Sequence, residues 1–271
     1  MPIRVDYHTH TRLCKHAEGE PGEYLAAAAA KGLREYGFAD HFPAPANFDT
    51  ASRMEPSDYP AYRALVKAAQ AEAPPGLAVR YGAEVDWVRG RMDEVHAQLE
   101  GEDFDYLIGS IHYVGDFGFD NDANIPAWAK PGTADYVWDA YGDLLLEMVG
   151  SGKFDVIGHF DLPKKFGNYP KSMDKFLSRA EASLELAARL GVVMEINAGG
   201  LRKPVKEAYP SLELLKLAHA KGVLITFGSD CHCPADVASG FDAAERLARA
   251  AGYLEYQGFD KHRRMPYSFS G

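Results

Sequence analysis

Seven histidines in this chain are placed so that they can share one metal centre. Each lies at or shortly after the end of a short apolar segment of strand character: His8, His10, His16, His41, His112, His159 and His232. His8 and His10 are two residues apart, and side chains at i and i+2 of an extended backbone point to the same side. Both imidazoles can therefore reach one metal ion.

Carboxylates end the same kind of segment. Glu84 ends the third segment and Asp230 follows the seventh, whereas Glu195 in the sixth is either a further ligand or a residue that holds a ligand or the substrate. Imidazole with carboxylate suits Zn, Fe or Mn and is too rich in nitrogen for Ca or Mg. Nine candidate ligands exceed the three protein ligands of one catalytic zinc, so we expect two or three ions and a bridging carboxylate.

Single residues of these types also have a simpler interpretation. An isolated histidine at a strand end is more often a hydrogen-bonded structural residue, and only the convergence of seven favours metal. We expect solvated positions, on helices or near the C-terminus, for the other three histidines, His96, His219 and His262. We expect reduced, packed thiols rather than ligands for the three cysteines, Cys14, Cys231 and Cys233.

The elements that must position these residues alternate along the chain, which predicts a parallel sheet covered by helices. The strand-like segments are Ile3–Tyr7, Tyr36–Ala39, Ala78–Val85, Tyr106–Ile111, Phe154–Gly158, Val192–Ile196 and Val223–Phe227. The helical stretches are Glu23–Gly32, Pro60–Ala73, Met92–Glu100, Ala134–Val149, Met173–Leu190, Ser211–Lys221 and Ala235–Ala250. The sheet is either open or closed into a barrel, and in a barrel the carboxyl ends of the strands converge on one face. The polar segments Asn47–Pro60 and Gly115–Pro131 are expected to be long functional loops.

Length and composition limit the protein to ordinary globular classes. The 271 residues suit a single domain, taken as residues 1–271, and the formal charge of −10 disfavours a nucleic-acid partner. The N-terminal residues lack the apolar run of a signal peptide and no stretch is long enough to span a bilayer, so we expect a cytoplasmic protein without a membrane partner. The charge also disfavours a phosphorylated substrate, unless bound cations reverse its sign locally.

The order of the candidate ligands resembles the polymerase and histidinol phosphatase (PHP) superfamily, from residue 3 to about residue 234. Four motifs are similar to its histidinol-phosphate phosphatase branch: Asp6-x-His-x-His-x-x-x-Cys14-x-His16, Gly109-Ser-Ile-His-Tyr113, Gly158-His-Phe-Asp-Leu-Pro-Lys-Lys-Phe166 and Glu195-Ile-Asn-Ala-Gly-Gly-Leu-Arg-Lys203. Many members have an acidic residue where this chain has His16, a departure also seen in that branch. The resemblance implies an α/β fold, a distorted (β/α)7 TIM-like barrel.

The resemblance also implies a centre of three divalent ions. Metal one would take His8, His10, Glu84 and Asp230, metal two Glu84, His112 and His159, and metal three His16, His41 and His232. A hydroxide held between metals one and two would attack phosphorus, which makes Glu84 and Asp230 the expected catalytic carboxylates.

Two cations are expected to bind the phosphate of the substrate. Arg202 is the first choice because a guanidinium matches phosphate oxygens in a bidentate manner, and Lys165 is the second. Lys164 and Lys203 are expected to be solvated surface cations. The acid that serves the leaving group stays open between Asp161 and metal-bound water.

The expected activity is that of a phosphoric monoester hydrolase. The first hypothesis is a histidinol-phosphatase, which hydrolyses L-histidinol phosphate to L-histidinol and phosphate in histidine biosynthesis. The alternatives are a PHP-type phosphoesterase acting on another small phosphate ester or nucleotide, a metal store or sensor without turnover, and a metal-dependent amidohydrolase on a similar barrel. The sequence leaves open the native metal among Zn, Fe and Mn, and the oligomeric state.

Overall fold

A computed structural model describes residues 3–269, and these contain eleven strands and eight α-helices. The strands are β1 (Val5–Asp6), β2 (Glu35–Phe38), β3 (Ala78–Asp86), β4 (Tyr106–Ser110), β5 (Tyr113–Val114), β6 (Phe117–Gly118), β7 (Val156–Ile157), β8 (Val193–Asn197), β9 (Ile225–Gly228), β10 (Glu255–Asp260) and β11 (Arg263–Ser268). The helices are α1 (Pro21–Ala30), α2 (Tyr59–Ala71), α3 (Met92–Leu99), α4 (Ile125–Trp128), α5 (Thr133–Gly150), α6 (Asp174–Leu190), α7 (Leu212–Ala220) and α8 (Phe241–Ala251).

Seven of the strands described form one parallel sheet, in the order β1-β2-β3-β4-β7-β8-β9. Its two edge strands also meet. The backbone N–H of Tyr7 donates to the carbonyl of Phe227 at 3.0 Å, and that of Asp230 donates to the carbonyl of His8 at 2.8 Å. These bonds bring β1 beside β9 and nearly close the sheet into a barrel. The expected seven-stranded α/β barrel is therefore confirmed.

Strand residues are buried on both faces, as a parallel sheet covered by helices requires. Inside the barrel the ring of Tyr106 lies across β2 and β3, and its hydroxyl donates to the carbonyl of Tyr7 at 2.6 Å. A Cβ at Gly37 or Gly82 would overlap this ring. The interior is thus filled by a few large aromatic side chains, which fixes the strands that carry the functional residues.

Helix bounds follow local signals closely, with one exception. In α1, Pro21 stands at the first turn and the side chains of Glu20 and Glu23 form a capping box. The expected helix Ala235–Ala250 is wrong at its start, because Gly240 adopts a left-handed conformation at φ 82° and α8 begins only at Phe241. Residues Pro234–Asp236 form a separate 3-10 turn.

Two parts of the chain contain more structure than the sequence predicted. Strands β10 and β11 form an antiparallel hairpin at the C-terminus, and the N–H of Phe259 in β10 donates to the hydroxyl of Tyr7 at 2.9 Å. The segment Gly115–Pro131, expected to be a loop, holds β6, α4 and a 3-10 turn. Over residues 3–269, none of the helices has the length and apolar character needed to cross a membrane.

Candidate metal centre

The candidate ligands meet at the carboxyl ends of the barrel strands. His8 and His10 follow β1, His41 follows β2, and Glu84 lies near the end of β3. Isolated backbone bridges hold these segments in register, one between His41 and Glu84 and one between Thr9 and Cys231. The sheet thereby places residues that are far apart in sequence within one buried cluster.

Glu84 is the centre of this cluster. Its Oε2 lies 2.8 Å from His41 Nδ1 and 3.3 Å from His8 Nε2. Its Oε1 lies 3.0 Å from His159 Nε2 and 3.5 Å from His112 Nε2. Burial opposes the charge, yet the surrounding imidazoles hold the pKa of Glu84 well below its ordinary value. A carboxylate with a different pair of histidines at each oxygen is suited to bridging two cations.

A second part of the cluster is more open to solvent. Asp230 Oδ1 lies 3.3 Å from His10 Nε2, and the rings of His10 and His232 stack at a centroid distance of 4.0 Å. The Nε2 atoms of His16 and His232 face each other at 3.0 Å. Asp230 adopts a positive φ of 54°, which few residues other than glycine do and which turns its carboxylate back toward His10.

The donor atoms of this cluster fit metal ions. In the described part of the chain, several buried ligand atoms face one another without forming a hydrogen bond of acceptable geometry: His8 Nε2, His10 Nε2, His41 Nδ1 and Glu84 Oε2. Buried polar atoms are normally paired, and a cation supplies the missing partner. Ligand atoms lie within 4.8 Å of one another in the sets His8–His10–Asp230, His8–Glu84–His159 and His10–His41–His232. Nitrogen and oxygen donors in these sets suit Zn, Fe or Mn.

Glu195 lies behind the cluster rather than in it. Its Oε1 is 2.8 Å from His8 Nδ1, and its Oε2 accepts the backbone N–H of His159 at 3.0 Å and the side-chain amide of Asn197 at 3.1 Å. A Cβ at Gly228 would overlap both Glu195 and His8. Glu195 therefore orients His8 so that the opposite ring nitrogen faces the cluster, which answers the question that the sequence left open.

Arg53 and Asp86 are functional positions that the sequence did not indicate. Asp86 Oδ1 is 2.6 Å from His112 Nδ1, and the Arg53 guanidinium donates to the other oxygen of Asp86 and to Asp49. Despite burial, Arg53 and His112 hold the pKa of Asp86 below its ordinary value. The only sequence feature that pointed to a role for Arg53 was its location in the segment Asn47–Pro60, which was expected to be a functional loop.

A cavity of about 490 Å³ opens onto the cluster, and both expected phosphate ligands line it. Arg202 Nη2 donates to the carbonyls of Ser229 and Asp230 at 2.7 and 3.1 Å, while its buried Nη1 has no partner among residues 3–269. Lys165 Nζ lies 3.5 Å from Asp120 Oδ2. Arg202 thus retains one donor that faces no protein acceptor.

Two other expectations need correction. Lys164 is not a solvated cation, since it is buried and its Nζ lies 2.9 Å from Asp161 Oδ2. This pairing, together with the backbone N–H of Ser211 at 3.0 Å, holds Asp161 in the wall behind the cavity. Asp161 is not among the residues that line the cavity, so it is poorly placed to serve a leaving group.

The remaining histidines and cysteines lie on the expected elements, but His96 is only partly exposed, with a buried Nε2, and Cys233 is only partly buried. His96 and His219 are on α3 and α7, and His262 is half exposed in the turn of the C-terminal hairpin, 2.9 Å from Asp155. All three cysteines are free thiols. Cys14 Sγ lies within 4.8 Å of ligand atoms of His16 and His232, but burial raises the pKa of its thiol, which disfavours the thiolate that a metal requires.

The fold and the site together define a class of protein, an α/β barrel with a cluster of histidine and carboxylate side chains, suited to metal ions, at the carboxyl ends of its strands. The profile of the PHP domain family matches residues 6–199. The chain is 39% identical to the probable histidinol-phosphatase of Deinococcus radiodurans, over 91% of its own length and 93% of that protein. The chain belongs to the PHP domain family.

Two further relatives illustrate the range of similarity. A probable phosphatase of Shewanella oneidensis is 28% identical over 93% of this chain and 85% of that protein. The crystal structure of histidinol phosphate phosphatase from Lactococcus lactis, complexed with Zn, L-histidinol and phosphate, superimposes with a TM-score of 0.81 at 21% identity. The alignment covers 97% of this chain and 98% of that one, so the whole fold is shared.

Proposed function

We propose that this protein is a histidinol-phosphatase, a metal-dependent enzyme that hydrolyses L-histidinol phosphate to L-histidinol and phosphate in histidine biosynthesis. The observation that carries this proposal is the juxtaposition in one cavity of a cluster fit for divalent cations and of Arg202 with an unpaired donor. The 39% identity to a probable histidinol-phosphatase over 91% of the chain supports the same substrate. We further propose three ions of Zn, Fe or Mn, held by His8, His10, His16, His41, Glu84, His112, His159, Asp230 and His232.

In this proposal the protein residues mainly bind and orient the ions and the substrate. When bound, divalent ions would supply a nucleophilic hydroxide at neutral pH and neutralise charge on the phosphoryl oxygens. Glu84 and Asp230 would hold the ions, and Glu195 and Asp86 would keep His8 and His112 in the correct orientation. Arg202 Nη1 and Lys165 Nζ would bind phosphoryl oxygens and set the direction of the scissile bond.

The rim of the cavity supports a substrate that carries a positive charge beside its phosphate. Four carboxylates, here called the acidic rim, line the cavity along with the basic residues: Asp49, Asp120, Asp122 and Asp236. Three of them pair with cations of the protein, Asp49 with Arg53, Asp120 with Lys165 and Asp236 with Arg202. L-Histidinol phosphate has an ammonium group and an imidazole, which carboxylates can bind, whereas a sugar phosphate has neither. We therefore assign Arg202 and Lys165 to the phosphate and the acidic rim to the remainder of the substrate.

A second candidate is a phosphatase that acts on another small phosphate ester. The relative from Shewanella oneidensis, a probable phosphatase aligned over 93% of this chain, favours it. The two candidates share the metal centre and differ only in what binds at the acidic rim. A long nucleic acid is disfavoured by the formal charge of −10 and by the same rim.

Metal analysis followed by a substrate panel tests the proposal. The purified protein is assayed for bound Zn, Fe and Mn, and phosphate release is then measured with L-histidinol phosphate, sugar phosphates, nucleoside monophosphates and p-nitrophenyl phosphate. We expect about three ions per chain, and a kcat/KM on L-histidinol phosphate that exceeds the others by roughly a hundredfold or more, a difference of about 2.7 kcal/mol. A higher kcat/KM on any other alkyl phosphate of the panel would overturn the histidinol-phosphatase assignment in favour of the second candidate.

A further inference from the structure

The hydroxyl of Tyr209 is a buried polar group that the proposed function does not yet use. Tyr209 is 1% exposed, and its hydroxyl oxygen has no hydrogen-bond partner within residues 3–269. The residue lines the cavity of the metal centre together with His159, Arg202 and Lys165. A buried hydroxyl without a partner is unusual, and at the wall of a substrate cavity the missing partner is expected to come from the ligand.

The tyrosine is held rigidly in this position. Its backbone forms an antiparallel bridge with Asn197 at the end of β8, with N–H to carbonyl distances of 2.7 and 2.9 Å. The Lys164 ammonium lies over its ring at 5.5 Å, and the ring of His159 lies at a centroid distance of 6.3 Å. On the remaining side the ring approaches Gly200 so closely that a Cβ there would lie 2.9 Å from Cε2.

The hydroxyl is neutral and therefore has a proton to donate. Burial raises the pKa of Tyr209, and the carboxylates of Asp161, Asp230 and Asp120 raise it further, so the phenol keeps its proton. The cavity supplies cations for the phosphoryl oxygens, namely Arg202, Lys165 and the ions that the cluster fits. The oxygen that links phosphorus to the alcohol is not a phosphoryl oxygen and needs a different donor.

We propose that the Tyr209 hydroxyl donates a hydrogen bond to the ester oxygen of the bound phosphate monoester and stabilises the leaving alkoxide. Hydrolysis forms a bond between a water oxygen and phosphorus and breaks the bond from phosphorus to the ester oxygen. The electron pair of the broken bond stays on the ester oxygen, which takes a proton from water and leaves as the alcohol. Tyr209 retains its own proton, and its hydrogen bond strengthens as charge develops on the leaving oxygen. Tyr209 is thereby a catalytic residue of the reaction put forward above, on which this inference rests.

The variant Tyr209→Phe tests this role because it removes only the hydroxyl. Two substrates are compared, L-histidinol phosphate, whose alkoxide leaves with difficulty, and p-nitrophenyl phosphate, whose phenolate leaves without help. We expect kcat to fall about tenfold or more on the first and less than about threefold on the second. Tyr253→Phe is the matched control, since Tyr253 is also buried but donates to the carbonyl of Val223 at 2.9 Å, and neither residue is among those that line the cavity. It is expected to change both rates equally and by less than about twofold.

The outcomes separate this inference from the proposed function. Equal losses on the two substrates at unchanged metal content, or no loss on either, would overturn the role of Tyr209 in leaving-group stabilisation. If the wild-type protein is inactive on L-histidinol phosphate but hydrolyses another alkyl phosphate of the panel, the proposed substrate fails and the same comparison with that ester still decides the role of Tyr209. A wild-type protein that hydrolyses no phosphate ester overturns both.

Discussion

Glu84 is the residue on which the metal centre depends, because each of its oxygens faces a different pair of histidines. The variant Glu84→Gln keeps the shape and removes the charge. We expect kcat/KM to fall on the order of 10³-fold, about 4 kcal/mol, together with a loss of bound metal. Phosphate release and metal content are measured side by side. The exposed Glu185→Gln on α6 is the control, and near wild-type turnover of metal-loaded Glu84→Gln would exclude the bridging role.

Arg202 is expected to act on substrate binding rather than on the metal centre. Removing its free Nη1 donor in Arg202→Ala costs a charge-assisted hydrogen bond of about 1.5–3 kcal/mol, which corresponds to a decrease in kcat/KM of roughly 10- to 150-fold. Steady-state kinetics should show most of this change in KM, with the metal content preserved. The exposed Arg189→Ala on α6 should leave KM as it is. An unchanged kcat/KM in Arg202→Ala would mean that Arg202 serves only the structure, through its bonds to the carbonyls of Ser229 and Asp230 and its ion pair with Asp236.

At the scale of single residues, the sequence identifies the candidate ligands but not the residues that position them. His8, His10 and Glu84 are recognisable because their types and strand-end positions are local features. Arg53 is not, since its role arises only when the loop that carries it folds back on Asp86 and His112, which lie 33 and 59 residues away. The same holds for Tyr209, whose unpaired hydroxyl is a property of the folded cavity.

At the scale of elements, β1 and β9 must approach closely for His8 to reach Glu195, and Gly228 at the end of β9 permits it. In Gly228→Ala the added methyl group would overlap Glu195 Oε1 and His8 Cβ, so we expect a loss of about 1–3 kcal/mol in the free energy of unfolding. Denaturant unfolding of the metal-loaded protein measures it. The control is Gly22→Ala on α1, where a Cβ meets nothing within 4 Å. Equal stability of the two variants would show that the contact between the strands is not tight.

The elements of the barrel were largely predictable, because parallel strands buried on both faces are short apolar runs with few polar interruptions. The helices that cover the sheet were predictable as well. The observed bounds of α6, Asp174–Leu190, differ by one residue from the expected Met173–Leu190. The hairpin of β10 and β11 was missed because β11 is largely exposed and carries Arg263, Arg264 and Pro266, which are untypical of a strand. Its role as a cover of the barrel depends on contacts such as that of Phe259 with Tyr7, which no local pattern encodes.

The charge of the whole molecule has a different meaning once the site is located. The formal charge of −10 counts Glu84 and Asp230 as free acids, although both point into the cluster. Three divalent ions would add six positive charges at one end of the barrel, where the phosphate would bind. The formal charge of the chain still disfavours a polyanion, whereas with these ions bound the cavity would attract a single phosphate group.

The stability of the whole molecule is expected to depend on the metal. Without ions, the buried nitrogen atoms of His8, His10 and His41 crowd around Glu84 without well-formed hydrogen bonds in the described structure, and this cost is relieved when ions bind to the folded state. Free Zn²⁺ at 100 times its dissociation constant would add about 2.7 kcal/mol, and the corresponding rise in Tm is roughly 5–10 °C. Thermal unfolding of chelator-treated and Zn²⁺-loaded protein measures the shift. Ca²⁺ should produce almost none, because these ligands are too rich in nitrogen for it. An equal Tm with and without Zn²⁺ would contradict the expected coupling between metal binding and stability.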